Sequence, residues 1–115
     1  MKLAVVGSRG FNDYELLKFK LNQIHERVPI TLIISGGARG ADSLAEQWAK
    51  ENKIETLIFY ADWDKLGKKA GYLRNIDIVK ACDAMIAFWD GESKGTAHDI
   101  TLAEQYQKFC IVTNF

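Results

Sequence analysis

Apolar residues along this chain gather in five short runs, at residues 3–6, 31–34, 56–60, 84–88 and 109–113. Each run is continuous rather than alternating, the pattern of strands buried on both faces of a sheet. Between the runs the apolar spacing becomes helical. Residues 14–27 set Leu17, Leu21 and Ile24 on one stripe, with Asn12 as the cap and Glu15 as its capping-box partner. Residues 41–51 cluster Leu44, Ala45, Trp48 and Ala49, and residues 72–82 offer Leu73, Ile76 and Val79. Residues 96–107 turn Ile100, Ala103 and Tyr106 inward. One long irregular stretch is left, residues 61–71, and loops of that length in small domains tend to carry function.

Strands that alternate with helices form βαβ units, and these build a parallel sheet covered by helices on both faces. Right-handed crossovers leave few arrangements. The expected fold is therefore α/β, a Rossmann-like doubly wound parallel sheet of five strands in the order 3-2-1-4-5. In that order the loops after strands one, two and four converge on the switch point, where open sheets bind ligands. A length of 115 residues without repeats or low-complexity segments predicts a single domain, 1–115.

Composition narrows the function classes. Fifteen Lys and Arg balance fifteen Asp and Glu, so the formal net charge is zero. Binding to nucleic acid draws on basic side chains that displace counterions, and neutrality argues against a nucleic-acid partner. The two cysteines, Cys82 and Cys110, lie far apart in apolar surroundings and read as reduced core thiols. Neither His25 nor His98 lies near a cysteine pair, so no metal site is expected. The first residues are interrupted too soon for a secretory signal, and no run approaches a membrane span. A cytoplasmic protein with no membrane partner is expected.

Three glycine turns follow strands. The first is Gly7-Ser8-Arg9-Gly10, and the second is Ser35-Gly36-Gly37-Ala38-Arg39-Gly40-Ala41-Asp42. The third is Asp90-Gly91-Glu92-Ser93-Lys94-Gly95-Thr96. Glycine lets a ligand approach bare backbone, and the following helix offers free N–H groups and partial positive charge, both suited to phosphate. Each turn also supplies a Ser, Thr, Arg or Lys, which independent structural turns would not need. In the segment from Ala61 to Asn75, Trp63 or Tyr72 would stack on a base and Asp62 would accept from a ribose hydroxyl. Lys68, Lys69 and Arg74, followed by Asn75, would reach phosphate. The alternative for this segment is a solvated basic loop with its tryptophan folded onto the core. The Walker and dinucleotide-binding glycine patterns are absent, so P-loop and ordinary dehydrogenase chemistry are not supported, and no cofactor is expected.

Four segments stand in a specific order: Val5-Val6-Gly7-Ser8-Arg9, Ser35 to Asp42, Ala61 to Asn75, and Ala87 to His98. With them the chain resembles the SLOG superfamily, which joins the Lonely-Guy phosphoribohydrolases with the Smf/DprA proteins. More narrowly it is similar to the small YspA-type branch (DUF2493). The resemblance implies a Rossmann-like fold that senses or sequesters a nucleotide or nucleotide-derived signalling molecule, and it implies homo-oligomers. It also implies, as the alternative, N-glycosidic hydrolysis of nucleoside monophosphates or ADP-ribose derivatives. In the Lonely-Guy motif GGxGTxxE, Gly95 and Thr96 match while the glutamate position falls on Asp99. Asp99 would then be the catalytic carboxylate and Arg74 its partner on phosphate. Kinship with Smf/DprA raises single-stranded DNA as well, for which residues 65–69 give the one local support and the neutral charge counts against.

Overall fold

The computed structural model describes residues 1–115. Ten elements follow one another: β1 (Lys2–Gly7), α1 (Tyr14–Arg27), β2 (Leu32–Ser35), α2 (Ala41–Glu51) and β3 (Glu55–Ile58). The second half comprises α3 (Trp63–Leu66), α4 (Lys69–Ala81), β4 (Ala84–Trp89), α5 (Lys94–Gln105) and β5 (Phe109–Asn114). The five strands form one parallel sheet in the order β3-β2-β1-β4-β5, as expected. No helix is long and apolar enough to cross a membrane.

Strand periodicity divides the core. Leu3, Val5, Ile33, Ile86 and Phe88 point to one face, where α1 contributes Leu17 and Leu21 and α2 contributes Ala45, Trp48 and Ala49. The alternate residues Ala4, Val6, Ile34, Met85 and Ala87 point to the other, against Ile78 and Val79 of α4 and Leu102 and Ala103 of α5. Successive side chains of a strand face opposite ways, so continuous apolar runs fill two cores at once. Only the inner strands meet that description. Glu55, Thr56 and Leu57 of β3 are exposed, and β5 leaves Phe109 and Val112 open. The expectation of five doubly buried strands is corrected to three, because an edge strand has one neighbour and the helices cover the middle of the sheet.

Element ends also shift. Asp13, not Asn12, caps α1, its carboxylate accepting from the Leu16 N–H at 3.1 Å. Helix α4 begins at Lys69 rather than 72, and α5 at Lys94 rather than 96. The irregular stretch contains the short helix α3. Leu73 and Tyr106, expected inside, are 42% and 40% exposed. On α4 the inward line runs through Ala70, Asn75, Ile78 and Val79. Leu73 stands about 200° round the helix from Asn75, on the far side. A polar residue occupies the inward place that hydrophobicity alone assigned to leucine.

Candidate functional site

The first turn is stitched across the sheet. The Ser8 N–H donates to the Phe88 carbonyl at 3.0 Å, and the Ser8 hydroxyl accepts from the Asp90 N–H at 3.3 Å. Ser8 is buried by these bonds, which join the end of β1 to the end of β4 and leave Arg9 exposed. The second turn closes on Asp42, whose Oδ2 accepts from the N–H groups of Gly36 and Ala38, both at 3.1 Å. Gly40, the cap of α2, has φ +85°, and a Cβ there would lie 2.5 Å from the Ser8 carbonyl oxygen. Only glycine lets these two turns meet. In the third turn the Asp90 carboxylate accepts from Glu92 and Ser93 at 2.9 and 2.8 Å. Those bonds hold its carboxyl below the usual range and present the first turn of α5 to the crevice.

Behind the turns runs a polar chain. Arg74 Nη1 donates to the Gly36 carbonyl at 2.7 Å and Arg74 Nε donates to Asn75 Oδ1 at 2.9 Å. Asn75 Nδ2 lies 3.2 Å from His98 Nδ1. A guanidinium can only donate, so the amide oxygen of Asn75 accepts and its NH₂ donates to His98. The imidazole therefore carries its proton on Nε2. Burial lowers the His98 pKa and keeps the ring neutral. Tyr72 stacks on it, ring centroids 4.0 Å apart. Asp99 is buried with its Oδ1 unpartnered. Burial and the nearby Asp42 push its carboxyl up to about 8, partly offset by Arg74. Burial also raises Asp42, to about 6, against the pull of its backbone hydrogen bonds and Arg74.

These residues surround a cleft of 540 Å³. Of the residues expected to bind ligand, it brings together Gly7, Ser8, Arg9, Gly36, Asp42, Trp63, Arg74, Asn75, Asp90, Ser93, Gly95, Thr96 and Asp99. A second cleft of 420 Å³ takes Gly37, Arg39 and Tyr60. The two share Arg9, Gly36, Ala38, Trp63 and Arg74, so they form one continuous groove. Outside both linings lie Ser35, Gly40, Asp62, Lys68 and Gly91. Ser35 donates to Glu46 at 3.3 Å, and Asp62 caps α3 by accepting from the Lys65 N–H at 3.1 Å. Arg74 braces the second turn, its guanidinium engaged on Gly36 and Asn75. His98 is the lining residue that the sequence reading passed over. Its signal was its place three residues after Gly95, on the same turn of α5 as Asp99. Trp63 is not folded into the core: it is 50% exposed, and a Cβ on Gly71 would lie 2.8 Å from its ring.

Among solved structures the chain is similar to DNA processing protein A from Helicobacter pylori, described for its single-stranded DNA binding mode. The TM-score is 0.75 at 21% sequence identity, over 97% of this chain and 64% of that one. The chain thus spans less than two thirds of that protein's length. This finding corrects two expectations. The reading of a sensor or sequestering protein for a nucleotide-derived small molecule, with hydrolysis as its alternative, gives way, because that similar structure is described for binding single-stranded DNA. The argument from charge against a nucleic-acid partner gives way with it. A formal charge of zero averages the whole surface, whereas Arg9, Arg39 and Lys94 collect along one groove. Among curated proteins the chain is similar to Gene 61 protein of Mycobacterium phage D29. The two are 38% identical over 111 residues, covering 90% of this chain and 89% of that protein. A family model described as YspA, cpYpsA-related SLOG matches residues 1–66, more than half of the chain. Together with the strand order and the converging glycine turns, that match shows that the chain belongs to the YspA, cpYpsA-related SLOG family.

Proposed function

We propose that the chain binds single-stranded DNA along the groove at the carboxyl ends of its strands, acting as a single domain in the cytoplasm. The observation that carries this reading is the exposure of three aromatic side chains on that groove. Tyr60 is 74% exposed, Tyr72 56% and Trp63 50%, and all three line it beside Arg9 and Arg39. Bases stack on such faces whatever their identity, at about 1–3 kcal/mol each, and a basic groove follows the backbone between them. A duplex keeps its bases paired and stacked inside and cannot use these faces. The helix starts of α2 and α5 supply further N–H groups for phosphate. The solved relative, described for its single-stranded DNA binding, supports the same use of the fold.

The test is fluorescence anisotropy of the whole chain with a labelled strand of about twelve nucleotides, within the usual range of single-strand site sizes, and with the matching duplex. The strand should bind and the duplex should bind far more weakly. Trp63→Ala should weaken strand binding about tenfold. With three phosphate contacts from Arg9, Arg39 and Lys94, log K should fall against log salt with a slope of about −2. No strand binding at low salt, or equal binding of strand and duplex, overturns the reading.

A further inference from the structure

We propose that the inner end of the cleft is a nucleobase subsite, in which Asp99 and His98 contact the hydrogen-bonding edge of one amino-bearing base of the strand. The proposal rests on the single-strand reading and adds to it base identity, which stacking and phosphate contacts do not sense.

Two buried side-chain polar atoms in the molecule have no partner, Asp99 Oδ1 and His98 Nε2. They belong to consecutive residues, and both residues line the same cleft. Native proteins pair nearly all their buried polar groups, so two orphans on consecutive residues of one ligand-sized cleft call for a ligand. The chain from Arg74 through Asn75 to His98 makes Nε2 a donor, as derived above. Asp99 supplies a carboxyl, with a second carboxyl, Asp42, on the same lining.

Charge decides what enters. The rim carries Arg9, Lys94 and the start of α5, a setting for phosphate. The floor carries two carboxyls, and the ionised Asp42 there repels phosphate. An exocyclic amino group suits it: a carboxyl accepts from that group whether ionised or not, and the neutral acid also donates to the adjacent ring nitrogen. Cytosine and adenine offer this pair of atoms, and thymine lacks the amino group. The stacked rings of Tyr72 and His98 add a flat wall for the base.

The closing experiment compares three strands of equal length by anisotropy at neutral pH: all-cytosine, all-thymine and all-abasic. Cytosine and thymine are single-ring bases that differ in size by one methyl group, so stacking alone predicts similar affinities. The subsite predicts that the cytosine strand binds about tenfold more tightly than the thymine strand. It predicts that Asp99→Leu, of similar volume and without hydrogen bonds, removes that preference while leaving abasic binding unchanged. Circular dichroism checks that this variant folds, and His98→Phe supplies a second route to the same loss. Equal affinity of the wild type for cytosine and thymine, or a preference that survives both substitutions, overturns the subsite alone. No binding of any of the three strands overturns the subsite and the single-strand reading together.

Discussion

Asp42 and Asp99 pay for their position at the floor of the cleft with protons that they would lose in water. An unfolded aspartate titrates near ~4, whereas in the folded chain Asp42 holds its proton to about 6 and Asp99 to about 8. Over that interval the folded state binds more protons than the unfolded one, so stability falls as pH rises and levels off above the higher value. Asp99→Asn is uncharged at every pH and escapes this penalty. Its stability relative to the wild type should climb by about 1.4 kcal/mol per pH unit until it levels off near 8. Urea unfolding at three pH values across this range measures it, and a constant difference would show that Asp99 is not protonated in the folded chain. In the sequence Asp99 stands near the start of the helical stretch 96–107. Its burial beside Asp42 depends on how α5 and α2 meet the sheet, which no local pattern encodes.

Helix boundaries show how far local rules reach. Asn12 and Asp13 are both good caps, and the capping-box spacing to Glu15 selected Asn12. The folded chain uses Asp13, because its side chain reaches the Leu16 N–H. Asp13→Ala should therefore cost about 1 kcal/mol, as N-cap truncations do, and Asn12→Ala should cost about a few tenths or less. Thermal melts of the two variants distinguish them, and the reverse order would restore the capping box. Helix α2 was legible end to end, since Leu44, Ala45, Trp48 and Ala49 repeat without a polar interruption. Helix α4 was legible only in part. Asn75 takes an inward position in order to hold Arg74 and His98, so a functional residue breaks the apolar stripe from which the helix is read.

Across the whole molecule the site exists because three turns from distant parts of the chain meet. Gly40 is where two of them touch, with the Ser8 carbonyl occupying the space of its absent Cβ. Gly40→Ala should lower stability by about 2–4 kcal/mol through strain and steric overlap. It should also weaken strand binding by moving Arg9 away from the groove. Melting and anisotropy on one preparation test both, and wild-type values in each would show that the two turns are not coupled. Strand order, sheet direction and the family were legible in the sequence. Apolar runs of strand length, separated by helical periods, admit few right-handed windings, and the ordered glycine motifs are specific. The sequence by itself determined that layout, since period and turn chemistry act over a few residues. Tertiary structure alone decided the rest. It exposed β3 and β5, merged two clefts into a groove lined by Tyr60, Trp63 and Tyr72, and left Asp99 Oδ1 and His98 Nε2 without partners at its floor. Exposure, local electrostatics and hydrogen-bond satisfaction depend on which distant residues fill the space around a group, and composition reports only their average.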